Sequence, residues 1–215
     1  MFILNHNNSI ANQYLAELRD INIQKDRMRF RKNLERVGEI LAYELSKKLP
    51  FSPASVPSPF GEVETKLLAE KPVIIAVLRA ALPFYQGVLN LFDHSDSGFI
   101  GAYRNESDSD SAIEITLNYL AAPDLANKTI IMVDPMLATG KSILKSLQAL
   151  NGNGIPKQIE IVSAIAAPEG IQHIQENLDL PHRFWIGAVD EKLNHQSYII
   201  PGLGDAGDLA FGSKI

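Results

Sequence analysis

The sequence predicts an α/β protein built on a parallel sheet, and three observations carry that prediction. Residues 73–78, 130–133 and 159–165 are short, largely apolar runs. Strands buried on both faces have this signature. Between such runs lie segments with apolar residues at three- and four-residue steps, which predicts helices. The apolar runs stop at polar or small residues, so the strand ends collect chemistry on one sheet edge.

Residues 9–20 predict a short helix, with Ile10, Tyr14, Leu15 and Leu18 on one face. Residues 26–49 predict a longer one through Met28, Leu34, Val37, Ile40, Leu41, Leu45 and Leu49. Arg27, Arg29, Arg31 and Lys32 cluster near its start and read as a solvated face. Pro50 ends the helix, and the prolines and serines of 51–59 predict a loop or an edge strand. The strand 73–78 ends at Arg79. That arginine either meets an anionic ligand or reaches out to water along its apolar stem.

A helix over 84–91 and a strand over 97–102 follow, the strand ending at Tyr103 and Arg104. Residues 105–112 are polar and acidic and read as a mobile loop, either a lid or a plain surface hairpin. The alternation of Ile113, Ile115 and Leu117 predicts the returning strand.

The central stretch is 129–147. Strand 130–133 ends at Asp134, a small-residue loop runs through Ala138, Thr139 and Gly140, and helical spacing begins at Ile143. Strand, acid, small loop and helix N-terminus direct backbone N–H groups and the positive end of a helix dipole at one spot. Thr139 and Ser142 add hydroxyl donors. The arrangement suits a phosphate, although an ordinary crossover loop shares its geometry. A nucleoside triphosphatase loop would need glycine where Pro135 stands, which counts against that class.

Residues 151–154 predict a turn, 171–177 a helix and 184–189 a strand with Trp185 in the core. Asp190 and Glu191 follow and read as loop caps rather than metal ligands. The five histidines are scattered without metal-ligand spacing. Near the C-terminus residues 201–207, PGLGDAG, read either as an ordinary Gly-rich loop or as one whose glycines serve a close approach of main chain.

Composition bounds the function. The formal charge of −5 argues against broad nucleic-acid binding, which needs a basic surface. No apolar run is long enough to span a bilayer, so no membrane partner is expected. The start lacks a basic segment followed by a long apolar core, and there is no cysteine. Both fit a cytoplasmic location. A chain of 215 residues is expected to form a single domain, 1–215, with 1–50 as its helical N-terminal part.

Residues 133–142, VDPMLATGKS, resemble the 5-phosphoribosyl 1-pyrophosphate (PRPP) loop of type I phosphoribosyltransferases. The DPMLATG core resembles that of the uracil phosphoribosyltransferase family, and residues 198–208, YIIPGLGDAGD, resemble its uracil-binding segment. The resemblance implies a parallel-sheet type I phosphoribosyltransferase core with flanking helices, a β-hairpin flap and a small hood from the terminal segments. It implies transfer of phosphoribosyl from PRPP to uracil, giving uridine monophosphate and pyrophosphate.

Carried over by position, Asp134, Arg79 and Arg104 form the catalytic set. Pro135, Met136, Leu137, Ala138, Thr139, Gly140, Lys141, Ser142 and Asp205 join them around PRPP. Ile199, Gly204, Asp205 and Ala206 bind uracil. The family also implies Mg²⁺ held mainly through PRPP with no dedicated protein metal site, a homodimer or higher homo-oligomer, and a GTP effector. It places the region of helix 26–49 at a subunit contact or near the site mouth. This chain departs from the pattern at Ala81 and Lys141, where the family has glycine, and at Leu209, where it has a basic residue. Transfer to another base and a non-catalytic relative stay open as alternatives, the second resting on Ala81.

Overall fold

Strand pairing organises the molecule around one mostly parallel sheet. The computed structural model describes residues 1–105 and 114–213, and the backbone alone of 102–105 and 114–118. The chain opens with β1 (Phe2–Ile3), then α1 (Ile10–Arg19) and α2 (Arg27–Ser46). Ser9 caps α1 by accepting from the Ala11 N–H, and Asp26 caps α2 by accepting from the Arg29 N–H. Each supplies the side-chain acceptor that a helix start lacks. Next come β2 (Phe51–Ser58), β3 (Gly61–Leu68), β4 (Val73–Leu78), α3 (Leu82–Leu91), β5 (Ser97–Asn105) and β6 (Glu114–Ala121). The chain continues through β7 (Thr129–Val133), β8 (Met136–Leu137), α4 (Lys141–Ala149), β9 (Gln158–Ala166), α5 (Pro168–Asn177) and β10 (His182–Val189). It closes with β11 (Lys192–Leu193), β12 (Ile199–Ile200) and α6 (Ala206–Phe211).

Among the described residues the main sheet runs β1-β10-β9-β7-β4-β5-β6, with β8 paired to β9. The β5–β6 pair is antiparallel, and the other pairings in this sheet are parallel. From β4 the chain steps outward to β5 and β6, then returns to lay β7 on the other side of β4. The crevice between β4 and β7 is therefore a topological switch point, where the loops leaving the strand ends diverge and admit a ligand.

The two faces of β4 and β7 are buried separately. Ile74, Ala76, Ile131 and Val133 pack with α1, α2, α3 and α6. Val73, Ile75, Ile130 and Met132 pack with α4 and α5. That double burial is why these strands are continuous apolar runs.

Two expectations gain detail here. Arg27, Arg29 and Lys32 at the start of α2 are exposed, as a solvated face requires, and Arg31 is half-buried, but the cluster also makes structural contacts. Arg29 pairs with the nearly buried Glu17 at 2.7 Å, Arg31 donates to the Ala210 carbonyl at 2.8 Å, and Arg27 lies against Gly212. The cluster ties α1 and α6 to α2, while Lys32 alone pairs locally, with Glu35. Of the loop and edge-strand readings of 51–59, the strand holds for Phe51–Ser58, and its partner is β3, in a two-stranded hairpin separate from the main sheet.

Candidate active site

Four segments converge at the carboxyl end of the sheet. The first is the loop after β7. The Asp134 carboxylate accepts the Met136 N–H at 3.2 Å, and its carbonyl accepts the Ser163 hydroxyl at 2.6 Å. The Pro135 carbonyl accepts the N–H groups of Ala164 and Ile165. β8 then pairs with Ile165 and Ala166, and the Leu137 carbonyl accepts the Ala167 N–H. The loop is thus fastened from below, and Pro135 and Leu137 turn inward, Leu137 into the core. Met136, Thr139, Lys141 and Ser142 remain partly exposed on the ligand side, and Ala138 is nearly buried.

Gly140 has φ 75° and precedes α4 without a side-chain cap. A residue with a Cβ is strained at that φ, and the added carbon would stand 2.8 Å from the Gly170 carbonyl. Gly140 thus offers no side-chain cap to the first-turn donors of α4. The Thr139 hydroxyl accepts the Lys141 N–H at 3.4 Å, which leaves it close to that donor array. Lys141, in place of glycine, is simply the first residue of the helix.

The second segment follows β4. The Leu78–Arg79 peptide is cis. Arg79 Nη2 donates to Asp208 at 2.8 Å and to the Gly212 carbonyl at 2.6 Å. Its Nε is buried with no hydrogen-bond partner among the described residues. A buried donor left unsatisfied costs free energy of about 1–3 kcal/mol, so Nε is available to a further acceptor. Ala81, where the family pattern has glycine, sits at φ −69° and ψ −19°. Any residue adopts that conformation, and the methyl is fully buried in the core. Ala81 therefore introduces no backbone strain.

The third segment runs through β12. Ile199 and Ala206 have buried side chains, so they offer a ligand main chain only. Gly204 is exposed at φ 95°. The Asp205 carboxylate caps α6 by accepting the Asp208 N–H at 2.9 Å. Leu209, in place of a basic residue, packs against the core. The contact of Arg79 with Asp208 joins this segment to the loop after β4.

The fourth segment is the β5–β6 hairpin, paired from Phe99 with Ala121 to Asn105 with Glu114. Arg104 lies on it by backbone. Its side chain, that of Tyr103 and most of the expected lid loop lie outside the described residues.

Asp190 holds a loop, as expected, and does more besides. It takes a two-pronged ion pair from Arg19, at 2.8 and 2.6 Å, and accepts the Gly202 N–H at 2.8 Å. The reading of the sequence missed Arg19, because its partner lies 171 positions away and no local pattern signals the pairing. Among the described residues no cluster of three or more His, Cys, Asp or Glu could cage a metal. Asp134 and Asp205 are single carboxylates on different segments. That set fits an ion such as Mg²⁺, which takes one or two carboxylates and fills its other positions with phosphate oxygens and water.

Comparison with known proteins places the chain. The family model described as uracil phosphoribosyltransferase matches residues 5–213. The uracil phosphoribosyltransferase of Porphyromonas gingivalis is 44% identical over 207 residues, covering 96% of this chain and 95% of the relative. That of Pyrococcus furiosus is 38% identical over 206 residues, covering 94% and 86%. The solved structure of the AQ2163 protein from Aquifex aeolicus superposes with a TM-score of 0.84 at 32% identity, covering 97% of each chain. With the loop after β7, the strand-end arginine and the glycine-rich segment gathered at one sheet edge, the chain belongs to the uracil phosphoribosyltransferase family.

Proposed function

We propose that the protein is a uracil phosphoribosyltransferase, transferring the phosphoribosyl group of PRPP to uracil with release of pyrophosphate. The observation that carries this reading is the Arg79–Asp208 contact, because it joins the diphosphate-type and base-type segments into one site. Family membership supports the same reaction, since the relatives bear that name.

The 5′-phosphate sits on the first-turn N–H groups of α4 and the Thr139 and Ser142 hydroxyls, spanning Ala138 to Ser142. Asp134 accepts from the ribose 2′- and 3′-hydroxyls and offsets the positive charge that develops on the sugar. Arg79 and Arg104 hold the departing diphosphate, and Asp208 and the Gly212 carbonyl release Arg79 to it. Uracil meets the main chain of Ile199, Gly204 and Ala206, whose N–H and C=O groups match its alternating edge. Its ring N1 bonds to ribose C1 as the C1–O bond breaks; the electron pair of that bond leaves with pyrophosphate, and the N1 proton passes to pyrophosphate or water. Positioning of the two reactants supplies much of the acceleration. Asp134 and Asp205 are the carboxylates nearest to the task of holding Mg²⁺, which when bound neutralises diphosphate charge.

We read residues 1–215 as one phosphoribosyltransferase domain acting in the cytoplasm as a homo-oligomer. The β2–β3 hairpin supports the oligomer. Val56 faces Val63, Ala54 faces Thr65 and Ser52 faces Leu67 on one side of the ribbon. Val56, Val63 and Leu67 are exposed, and Phe60 at the tip is fully so. A lone two-stranded hairpin is marginal in water, so this face needs cover. Pro53 and Pro57 lack the N–H groups for edge-to-edge pairing, which favours docking by the face.

The test is the rate of uridine monophosphate formation by the wild type and by Asp134→Asn. We expect the variant to fold and to lose about a hundredfold in rate, the scale of removing one electrostatic stabiliser. An unchanged rate contradicts the role of Asp134.

A further inference from the structure

One ion pair stands beside the base-binding segment and has no part in the mechanism above. Arg19 is the last residue of α1, and Asp190 is the first residue after β10. Arg19 donates through Nη1 at 2.8 Å and Nη2 at 2.6 Å to the two carboxylate oxygens of Asp190. The pair continues into the segment that carries the base contacts. Arg19 Nη1 also donates to the Gly202 carbonyl at 3.0 Å, and the Gly202 N–H donates to Asp190 at 2.8 Å. Both main-chain groups of Gly202 are therefore held by one two-residue clamp. The Asp190 side chain is only 6% exposed, so these bonds form in a poorly solvated place.

Gly202 is the turn of the segment. Its φ is 61°, and a Cβ there would stand 2.2 Å from the Ile199 carbonyl. The chain folds back on itself between Ile199 and Leu203, and the clamp grips that fold. The far side of the segment has its own anchors. The Glu191 N–H donates to the Ile200 carbonyl, and Asp205 caps α6. Between those anchors, the Arg19–Asp190 clamp is the side-chain tie from the N-terminal helix to the stretch where Ile199, Gly204 and Ala206 present main chain. A backbone recognition edge works only if it is rigid, because an edge that shifts by a fraction of an ångström misses every hydrogen bond at once.

We infer that Arg19, acting through Asp190 and Gly202, is a positioning residue for the base and sets the affinity for uracil without touching it. The inference rests on the assignment of 199–206 as the uracil segment. The phosphate loop has its own fastening through Ser163, β9 and Ala167, so the clamp belongs to the base half of the site and not to the PRPP half.

The experiment compares the wild type with Arg19→Ala and Arg19→Lys by steady-state kinetics in each substrate. Lysine keeps the charge and loses the two-pronged fork. The expected result is a rise of about tenfold or more in the uracil KM for Arg19→Ala and a smaller rise for Arg19→Lys, with the PRPP KM within about twofold of wild type. A structural ion pair alone would move both constants together or only the melting temperature, and either result overturns the inference. If Arg19→Ala does not fold, Arg19→Lys decides, and an unchanged uracil KM in it overturns the inference. Amide hydrogen exchange on the same proteins without ligand separates this claim from the assigned reaction. Faster exchange in 199–206 than in 130–142 on losing Arg19 supports the clamp even if the wild type does not use uracil. Unchanged exchange in 199–206 overturns it.

Discussion

Glu160 shows how a single residue sets a pH dependence away from the site. It is fully buried on β9, accepts the Trp185 indole N–H at 2.7 Å and pairs with Arg183 at 3.2 Å. Burial pushes its carboxyl above the ordinary 4.5, against the opposing pulls of Trp185 and Arg183. The folded protein thus holds this proton more tightly than the unfolded chain does. The stability Glu160 contributes is full below about pH 4.5 and is lost as pH rises through the raised folded value. Glu160→Gln is predicted to raise the melting temperature at neutral pH and to flatten this part of the pH profile. Thermal melts across pH check this, with Trp185, the sole tryptophan, as the fluorescent reporter. A melting temperature unchanged or lowered at neutral pH contradicts the assignment.

At the scale of elements, the phosphate loop is only as good as the seat beneath it. Gly170, in the first turn of α5, lies so close that an added Cβ would stand 2.2 Å from the Ala138 carbonyl. Gly170→Ala is predicted to push the loop outward and raise the PRPP KM by about tenfold or more, with a much smaller change for uracil. Steady-state kinetics checks it, and a pair of unchanged constants would show that the loop tolerates the shift.

Elements also mark where sequence reasoning succeeded. The runs 73–78 and 130–133 announce β4 and β7 because burial on both faces leaves no polar position to confuse the pattern. β3 has a period-2 signal, Val63, Thr65 and Leu67 alternating with Glu62, Glu64 and Lys66, but the prolines of its partner strand obscured the hairpin. β8, β11 and β12 are two residues each, too short for any period to show. At the site, the loop 134–142 and the segment 199–206 were legible as continuous motifs. The Arg19–Asp190 pair and the three-way split of the α2 basic cluster depend on tertiary approach, which no local spacing encodes.

For the whole molecule, the open question of assembly falls on the hairpin. An apolar ribbon face left in water is expected to be covered by a second copy in a closed, symmetric pair. The double variant Val56→Glu and Val63→Glu places two charges on that face, where like charges directly opposite repel. It is predicted to shift the protein from oligomer to monomer in sedimentation velocity, and an unchanged oligomer would place the interface elsewhere.

We propose that the loop after β7, an arginine whose buried Nε has no partner among the described residues, and a glycine-rich backbone edge act together on PRPP and uracil. The most direct measurement is pyrophosphate release by the purified protein from PRPP and Mg²⁺ with uracil, with hypoxanthine and with no base. The account predicts release with uracil and none above background in the other two. Release with hypoxanthine in place of uracil, or binding of PRPP without release under any condition, would contradict it.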